Sequence, residues 1–459
     1  MSLLDSVRAI LNGRRGPAVD MRNLLKKNAE RLSDYDRYRR LYDGIIVRQS
    51  ENGLEQVKDI AFALGAPIVN TSADFLAGHP ISFKVRNADG VDAEATKAAG
   101  EIWARSGAES KFLPAAIRGG IYGDVPIVIR RNDKDEVYLD FPSAELVYPV
   151  FDPNNVERIT RAVIGYMTTS ESGERSEYYE EYSASSWYRK VDGVEETGTY
   201  NAENFDGGVP VLWIRNLGIG ETFGRSDLKP LKRLLERYDH AGEKELDIID
   251  YYSSPNVVAK GVTVSELQRD NIPFGFRRLF AVKETANLEY LEWKGDRPDV
   301  EKGIEHLRQA IAEIAEVPSI AFGHTPTGLS QITGVALKIL YGPLLAKTRR
   351  KRANYGPVIE RAMMFALREA GFKIESEQLI DISWPDPTPV NEVEKWEVAA
   401  AKQDAGLSRA QSLREAGYDD EQLKAIEDER SNEKKADTED AMSAFNAGNV
   451  RDPASTQFE

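Results

Sequence analysis

The chain has 459 residues, of which 41% are hydrophobic and 29% charged, and it contains no cysteine. That is the usage of a folded globular chain of about three ordinary domains, which excludes a fibrous or wholly disordered one. It also excludes thiol catalysis, thiolate metal sites and a disulfide framework. With 75 acidic against 60 basic residues the formal charge is −15, which argues against a broad basic face gripping nucleic acid.

Residues 1–20 read as an N-terminal arm. Asp5 interrupts the apolar opening and no basic leader precedes it, so no secretion signal is expected. Met21 to Gly44 reads as a helix with Leu24, Leu25, Leu32 and Tyr35 on one face, ending in the turn Tyr42-Asp43-Gly44. Glu55 to Leu76 reads as a second helical stretch interrupted at Gly65-Ala66-Pro67. Ile60 to Val69, its apolar part, is far short of the roughly 20 residues needed to span a membrane. A strand is predicted from Ile81 to Val85. Between Tyr122 and Trp213, short runs rich in β-branched and aromatic residues alternate with turn clusters, which predicts an antiparallel β region within helices.

Ser226-Asp227 suits a helix start, with the hydroxyl accepting an orphan N–H and the carboxylate at the positive end. The helix is predicted to reach about Tyr252. A small α/β insert is expected from Pro255 to Gly295, with strands at Arg278 to Val282 and Leu288 to Trp293. Asp299 opens a further helix ending before Pro318, on which Val300, Ile304, Leu307, Ile311 and Ile314 repeat at alternating spacings of four and three, forming a packing seam. A Gly- and Pro-rich loop follows. A long helix from Gly334 to Ala370 is expected to kink at Gly342-Pro343 and Gly356-Pro357. A helical hairpin follows from Val390 to Arg430, breaking at Gly406-Leu407-Ser408. Beyond Ser431 the apolar period is lost, and a flexible tail is expected.

No catalytic, cofactor-binding or metal-ligating constellation emerges. Gly119-Gly120-Ile121-Tyr122-Gly123 lacks the lysine of a phosphate-binding loop and reads as a turn. His79, His240, His306 and His324 are isolated from one another. Ser330 lacks the flanking glycine and strand of a nucleophile elbow. Carboxylate groups such as Asp247/Asp250 and Glu427 to Glu429 read as solvated faces. One charge feature runs against the acidic trend: Lys347, Arg349, Arg350, Lys351 and Arg352. It reads either as a hydrated helix face or partner to nearby acids, or as a contact for an anionic partner.

Taken in order, several stretches resemble bacteriophage portal proteins of the SPP1 type. They are Leu41 to Gly44, Asn70 to Ser82, Val147 to Asp152, Asn204 to Asn216 with Ser226-Asp227-Leu228, and Tyr290-Leu291. The Val300–Ile314 helix with Val317-Pro318, Gly334 to Lys338, and Leu407 to Glu429 complete the series. Thr333 stands where the family often has serine. The resemblance implies an α+β portal fold. A helix-rich wing with a β region would cover residues 21–225, followed by a stem helix at 226–254, an α/β clip at 255–298 and a second stem helix at 299–317. A tunnel loop would occupy 318–333, a long kinked helix and wing return 334–390, a helical crown 391–430 and the tail 431–459.

It further implies a non-enzymatic homo-oligomer, a dodecameric ring at one capsid vertex of the virion, assembled in the host cytoplasm. Double-stranded DNA would pass through its channel during packaging and ejection. Its partners would be the terminase large subunit, the major capsid and scaffold proteins, and later the head-completion or adaptor proteins, with no membrane and no cofactor involved. Twelve copies would carry about −180, so a like-charged polymer would not be held fast. Two expectations about sites follow. Gly323, His324, Thr325, Pro326, Thr327, Gly328, Leu329 and Ser330 line the narrowest level of the channel. Lys347, Arg349, Arg350, Lys351 and Arg352 form a positive ring or an inter-subunit salt-bridge belt. Two other readings stand beside the portal: a capsid-associated adaptor or scaffold without its own channel, and a nucleic-acid-processing enzyme using scattered carboxylates.

Overall fold

The computed structural model describes residues 21–50, 53–57, 62–87, 90–169, 175–191, 194–253, 257–260, 287–290, 297–322, 339–374, 379–387, 392–415, 418, 423–424 and 426–431. Met21–Asp43 forms α1 and is followed by the hairpin β1 (Ile46–Ser50) and β2 (Gly53–Val57). The second predicted helix therefore begins late. Residues 53–57 are strand, and α2 spans Gly65–Ala77. Then come β3 (Ser82–Asn87), β4 (Gly90–Val91), α3 (Ala93–Arg105) and α4 (Ala108–Tyr122). Asp92 caps α3 by accepting the Ala95 N–H at 3.0 Å, which satisfies one orphan donor of its first turn.

The β region is antiparallel, as its composition predicts. β5 (Asp124–Arg131) and β6 (Val137–Asp140) lead into β7 (Val147–Asp152), β8 (Asn155–Thr169), β9 (Arg175–Ser183), β10 (Ser186–Val191), β11 (Val194–Thr199) and β12 (Val211–Arg215). β7 to β11 form a five-stranded meander, while β12, β5 and β6 form a separate three-stranded sheet with β5 central. After a 3₁₀ turn at Lys229–Leu231, α5 runs over Lys232–Ser253. Within the expected insert, β13 (Val257–Lys260) pairs with β14 (Asn287–Tyr290). The predicted strand at 278–282, the 323–330 loop, the 1–20 arm and nearly all of the tail lie outside the described residues.

α6 spans Arg297–Ala315 and α7 spans Gly342–Glu369. α7 starts at Gly342-Pro343, where the missing N–H of Pro343 has no helical partner, and a turn at Tyr341 separates it from the helical residues 339–340. The helix continues through Pro357, which lies on the exposed face. β15 (Leu379–Ser383) then joins β3.

The chain divides into two units, one of Met1–Ile332 with Ala336–Pro387 and one of Thr333–Val335 with Thr388–Glu459. The first holds two apolar cores. One packs α3, α4, β5 and β6 against α7, whose Tyr355, Ile359, Ala362, Met363 and Ala366 are all fully buried at helical spacing. The other gathers α1, α2, β7, β8, the start of α5 and the end of α6. In the second unit, α8 (Glu392–Asp404) and α9 (Arg409–Glu415) are separated by Gly406 at φ 96°. Ser408 caps α9 by accepting the Gln411 N–H, and Ala399, Leu413 and Leu423 form a small core. The break predicted at 406–408 is present.

Candidate functional site

The polar chemistry of the first unit concentrates around the 216–227 segment that leads into α5. α4 ends there, and Gly123 at φ 93° turns the chain into β5. Gly119 and Gly120 are not a turn but lie inside α4. A Cβ on Gly119 would stand 2.1 Å from the Tyr355 hydroxyl, and one on Gly120 would stand 2.7 Å from Val69. Their lack of a side chain lets α7 and the 224–227 segment pack directly on the helix. Gly224 is tighter still, with a Cβ there 1.9 Å from the Gly123 carbonyl.

Ser226 and Asp227 are knitted into this packing. The Ser226 hydroxyl donates to the Gly120 carbonyl at 3.1 Å and accepts the Leu228 N–H at 3.1 Å, but it does so in a turn ahead of the 3₁₀ segment, so Ser226 does not cap α5, which begins six residues later at Lys232. The Asp227 N–H donates to the same carbonyl at 2.9 Å. The Asp227 carboxylate is not at a solvated helix start. It is buried, and accepts from Lys351 Nζ at 2.6 Å and Asn216 Nδ2 at 3.1 Å, with Lys347 Nζ at 3.7 Å. Asn216 in turn accepts from the Tyr355 hydroxyl at 3.2 Å. Lys347 also donates to the carbonyl of Ala315, the last residue of α6, at 3.0 Å.

Burial by itself would raise the Asp227 carboxyl, but Lys347 and Lys351 overcome it and hold the group below the ordinary carboxylate range. Burial pushes the Lys351 ammonium down to about 8 against the pull of Asp227. Both partners are therefore charged at neutral pH.

A second buried carboxylate, Asp124, lies at the start of β5. It accepts from the Tyr35 hydroxyl at 2.5 Å, Trp213 Nε1 at 2.6 Å and the Gly224 N–H at 2.7 Å. Burial raises it, opposed by Tyr35, Gly224, Trp213 and Arg31. Arg31 of α1 donates to the Ala144 and Val147 carbonyls and lies against the rings of Tyr35, Trp213 and Phe223. Asp124 and Asp227 thus fix both ends of the 216–227 loop.

Of the expected cationic belt, two members face inward. Lys347 and Lys351 are four residues apart and share the inward face of α7, where they are 3% and 0% exposed and both lie against Asp227 of the same chain. The other members turn away. Arg350 pairs with Glu316, Arg352 donates to the Pro385 carbonyl and lies over Trp384, and Arg349 is exposed. On the apolar seam of α6, Ile311 is fully buried, Ile304 and Leu307 pack partly against the core, and Ile314 is 47% exposed. The Val300 side chain, like all of Gly323 to Ser330, falls outside the described residues. Among the described residues no group of three or more His, Asp or Glu could hold a metal ion, and no helix is long and apolar enough to cross a membrane.

This geometry defines a structural class of chain: an α+β body whose buried polar groups serve to fix helix ends, including those of two long helices. The chain belongs to the phage portal protein family of the SPP1 Gp6-like type, whose family model matches residues 22–436. No curated protein sequence matches it. Among solved structures it is similar to a chain in the neck of an empty GTA particle computed with C6 symmetry. That likeness has 13% identity and a TM-score of 0.49, covering 78% of this chain and 90% of the other. A chain in the virion of a native gene transfer agent particle matches at 14% identity and a TM-score of 0.46, covering 91% and 99%. A chain in the neck of a native particle computed with C12 symmetry matches at 13% and 0.43, covering 78% and 90%.

Proposed function

We propose that this chain assembles into a ring at one vertex of a capsid and forms the channel through which double-stranded DNA is packaged and ejected. The observation that carries the reading is the family match over 22–436, which includes both long helices and the node that fixes their ends. α5 and α6 pack on one another, yet Ile249 and Ile314 remain 39% and 47% exposed. In a ring, sister chains would cover such residues. The insert between these helices would face the terminase motor during packaging and head-completion proteins afterwards. The 323–330 loop would line the narrowest level, and deleting it should impair packaging. Any cationic contribution to assembly falls to Arg349 and Arg350, the exposed members of the basic run.

Negative-stain microscopy of the purified chain tests the reading directly. Ring-shaped particles with a central hole are expected. A stable monomer at high concentration refutes it, and binding only to a preformed ring would instead mark an adaptor.

A further inference from the structure

We propose that Lys347 is a latch holding the end of α6 and the segment that opens α5 on one wing helix, so that the two long helices shift together and not independently. Three observations converge on it. Its ammonium reaches the Ala315 carbonyl at 3.0 Å and lies 3.7 Å from Asp227. It therefore touches the last residue of α6 and the approach to α5 from a single position on α7. The final carbonyls of a helix have no intrahelical partner and carry the negative end of its dipole, so a buried ammonium is suited to that place.

Second, Lys347 is not the closer partner of Asp227. Lys351 already sits 2.6 Å away, and a single ammonium neutralises a single carboxylate. Burying a second cation there costs stability that an apolar side chain of similar size would not. The contact Lys347 makes and Lys351 does not is the one to α6. Third, α6 stops sharply at this point. Glu316 adopts φ 57°, Val317 N–H returns to the Ala312 carbonyl at 3.1 Å, and Glu316 pairs with Arg350 on the outer side of α7. The helix end is thus held from within by Lys347 and from outside by Arg350.

Hydrogen exchange on the full chain at neutral pH tests the latch, using wild type, Lys347→Met and Lys351→Met. In Lys347→Met, amides of residues 311–317 and 228–235 are expected to exchange about tenfold faster, while those of β5 and β12 are unchanged. Lys351→Met, which keeps the Ala315 contact, should leave 311–317 within about threefold of wild type. Acceleration of only one of the two segments, no change at 311–317, or an equal rise across β5 and β12 overturns the proposal. Should Lys347→Met not fold, wild type alone decides. Under mild urea the two segments must open with one shared urea dependence, and separate dependences overturn the latch.

Discussion

Replacing Asp227 with asparagine keeps the shape of the node and removes its only negative charge. Two ammonium groups, 2.6 and 3.7 Å from the carboxylate oxygens and almost wholly buried, lose their counter-charge. Breaking a buried ion pair by removing one partner costs about 3–5 kcal/mol. Lys351 can limit the loss by releasing its proton, because burial already pushes it down to about 8. For a unit of about 380 residues, the unfolding entropy is about 0.8 kcal/mol per kelvin. The expected fall in Tm is therefore about 4–6 °C, read by calorimetry or dye fluorescence at pH 7. The double variant Asp227→Asn/Lys351→Met removes one stranded cation together with the charge that balanced it. It should recover about 2 °C or more relative to the single variant, a coupling that the double-mutant cycle isolates. If Asp227→Asn lowers Tm by less than about 1 °C, or the double variant is no more stable than the single, charge pairing is not what holds this node.

Asp124→Asn should be milder, costing about 1–2 kcal/mol by thermal denaturation. The amide oxygen keeps Trp213 and Gly224 as donors, and the Tyr35 hydroxyl can reverse to accept from the new amide. Gly224→Ala places a Cβ 1.9 Å from backbone and should cost at least about 3 kcal/mol, seen as lost soluble yield. Gly100→Ala on α3 meets nothing within 4 Å and should stabilise by about 0.5–1 kcal/mol. The pH dependence has a definite sign. Between the folded value of Lys351, about 8, and its ordinary 10.5, the unfolded chain binds the additional proton. Wild type should therefore gain stability relative to Lys351→Met as pH rises through that window. Asp227 is depressed below 3.8, so its contribution, present above that value, should fade as pH falls beneath it, closing the gap to Asp227→Asn.

Much of the fold was legible because it is written in local periodicity. The end of α1, the alternating β region and the break at 406–408 each follow from residues within one turn of the feature, whereas the helix expected to open at Ser226 begins only at Lys232. The hairpin at 46–57 was missed because its helix-compatible residues, such as Glu55 and Gln56, give no period-two signal. The site was largely illegible, since Asp227 and Lys351 are 124 positions apart and nothing local pairs them. One signal was available. Continuing the buried stripe of α7 backwards from Ile359 and Tyr355 leads through Lys351 and Lys347 to Leu344, so those lysines occupy apolar positions of the helix. Charge counting along the chain hid this, because a run of cations is ordinarily a surface. The Gly119-Gly120 pair was equally opaque, as close approach of another element is a tertiary fact.

The placement of the basic run also determines which substitutions can test assembly. Reversing the whole run would bury a new acid beside Asp227, and any loss of rings would then report a broken fold. Lys351→Glu alone should abolish folding, because two carboxylates would share a site with a single remaining ammonium. Arg349 and Arg350 are exposed, and the Arg350–Glu316 pair has side chains 53% and 38% accessible. Such a pair contributes at most about 1 kcal/mol. Arg349→Glu/Arg350→Glu should accordingly keep Tm within about 2 °C of wild type, isolating the surface effect. If sedimentation then shows fewer rings, these arginines meet acidic groups of a sister chain. If rings form as in wild type, no cationic belt contributes to assembly at this level of the chain.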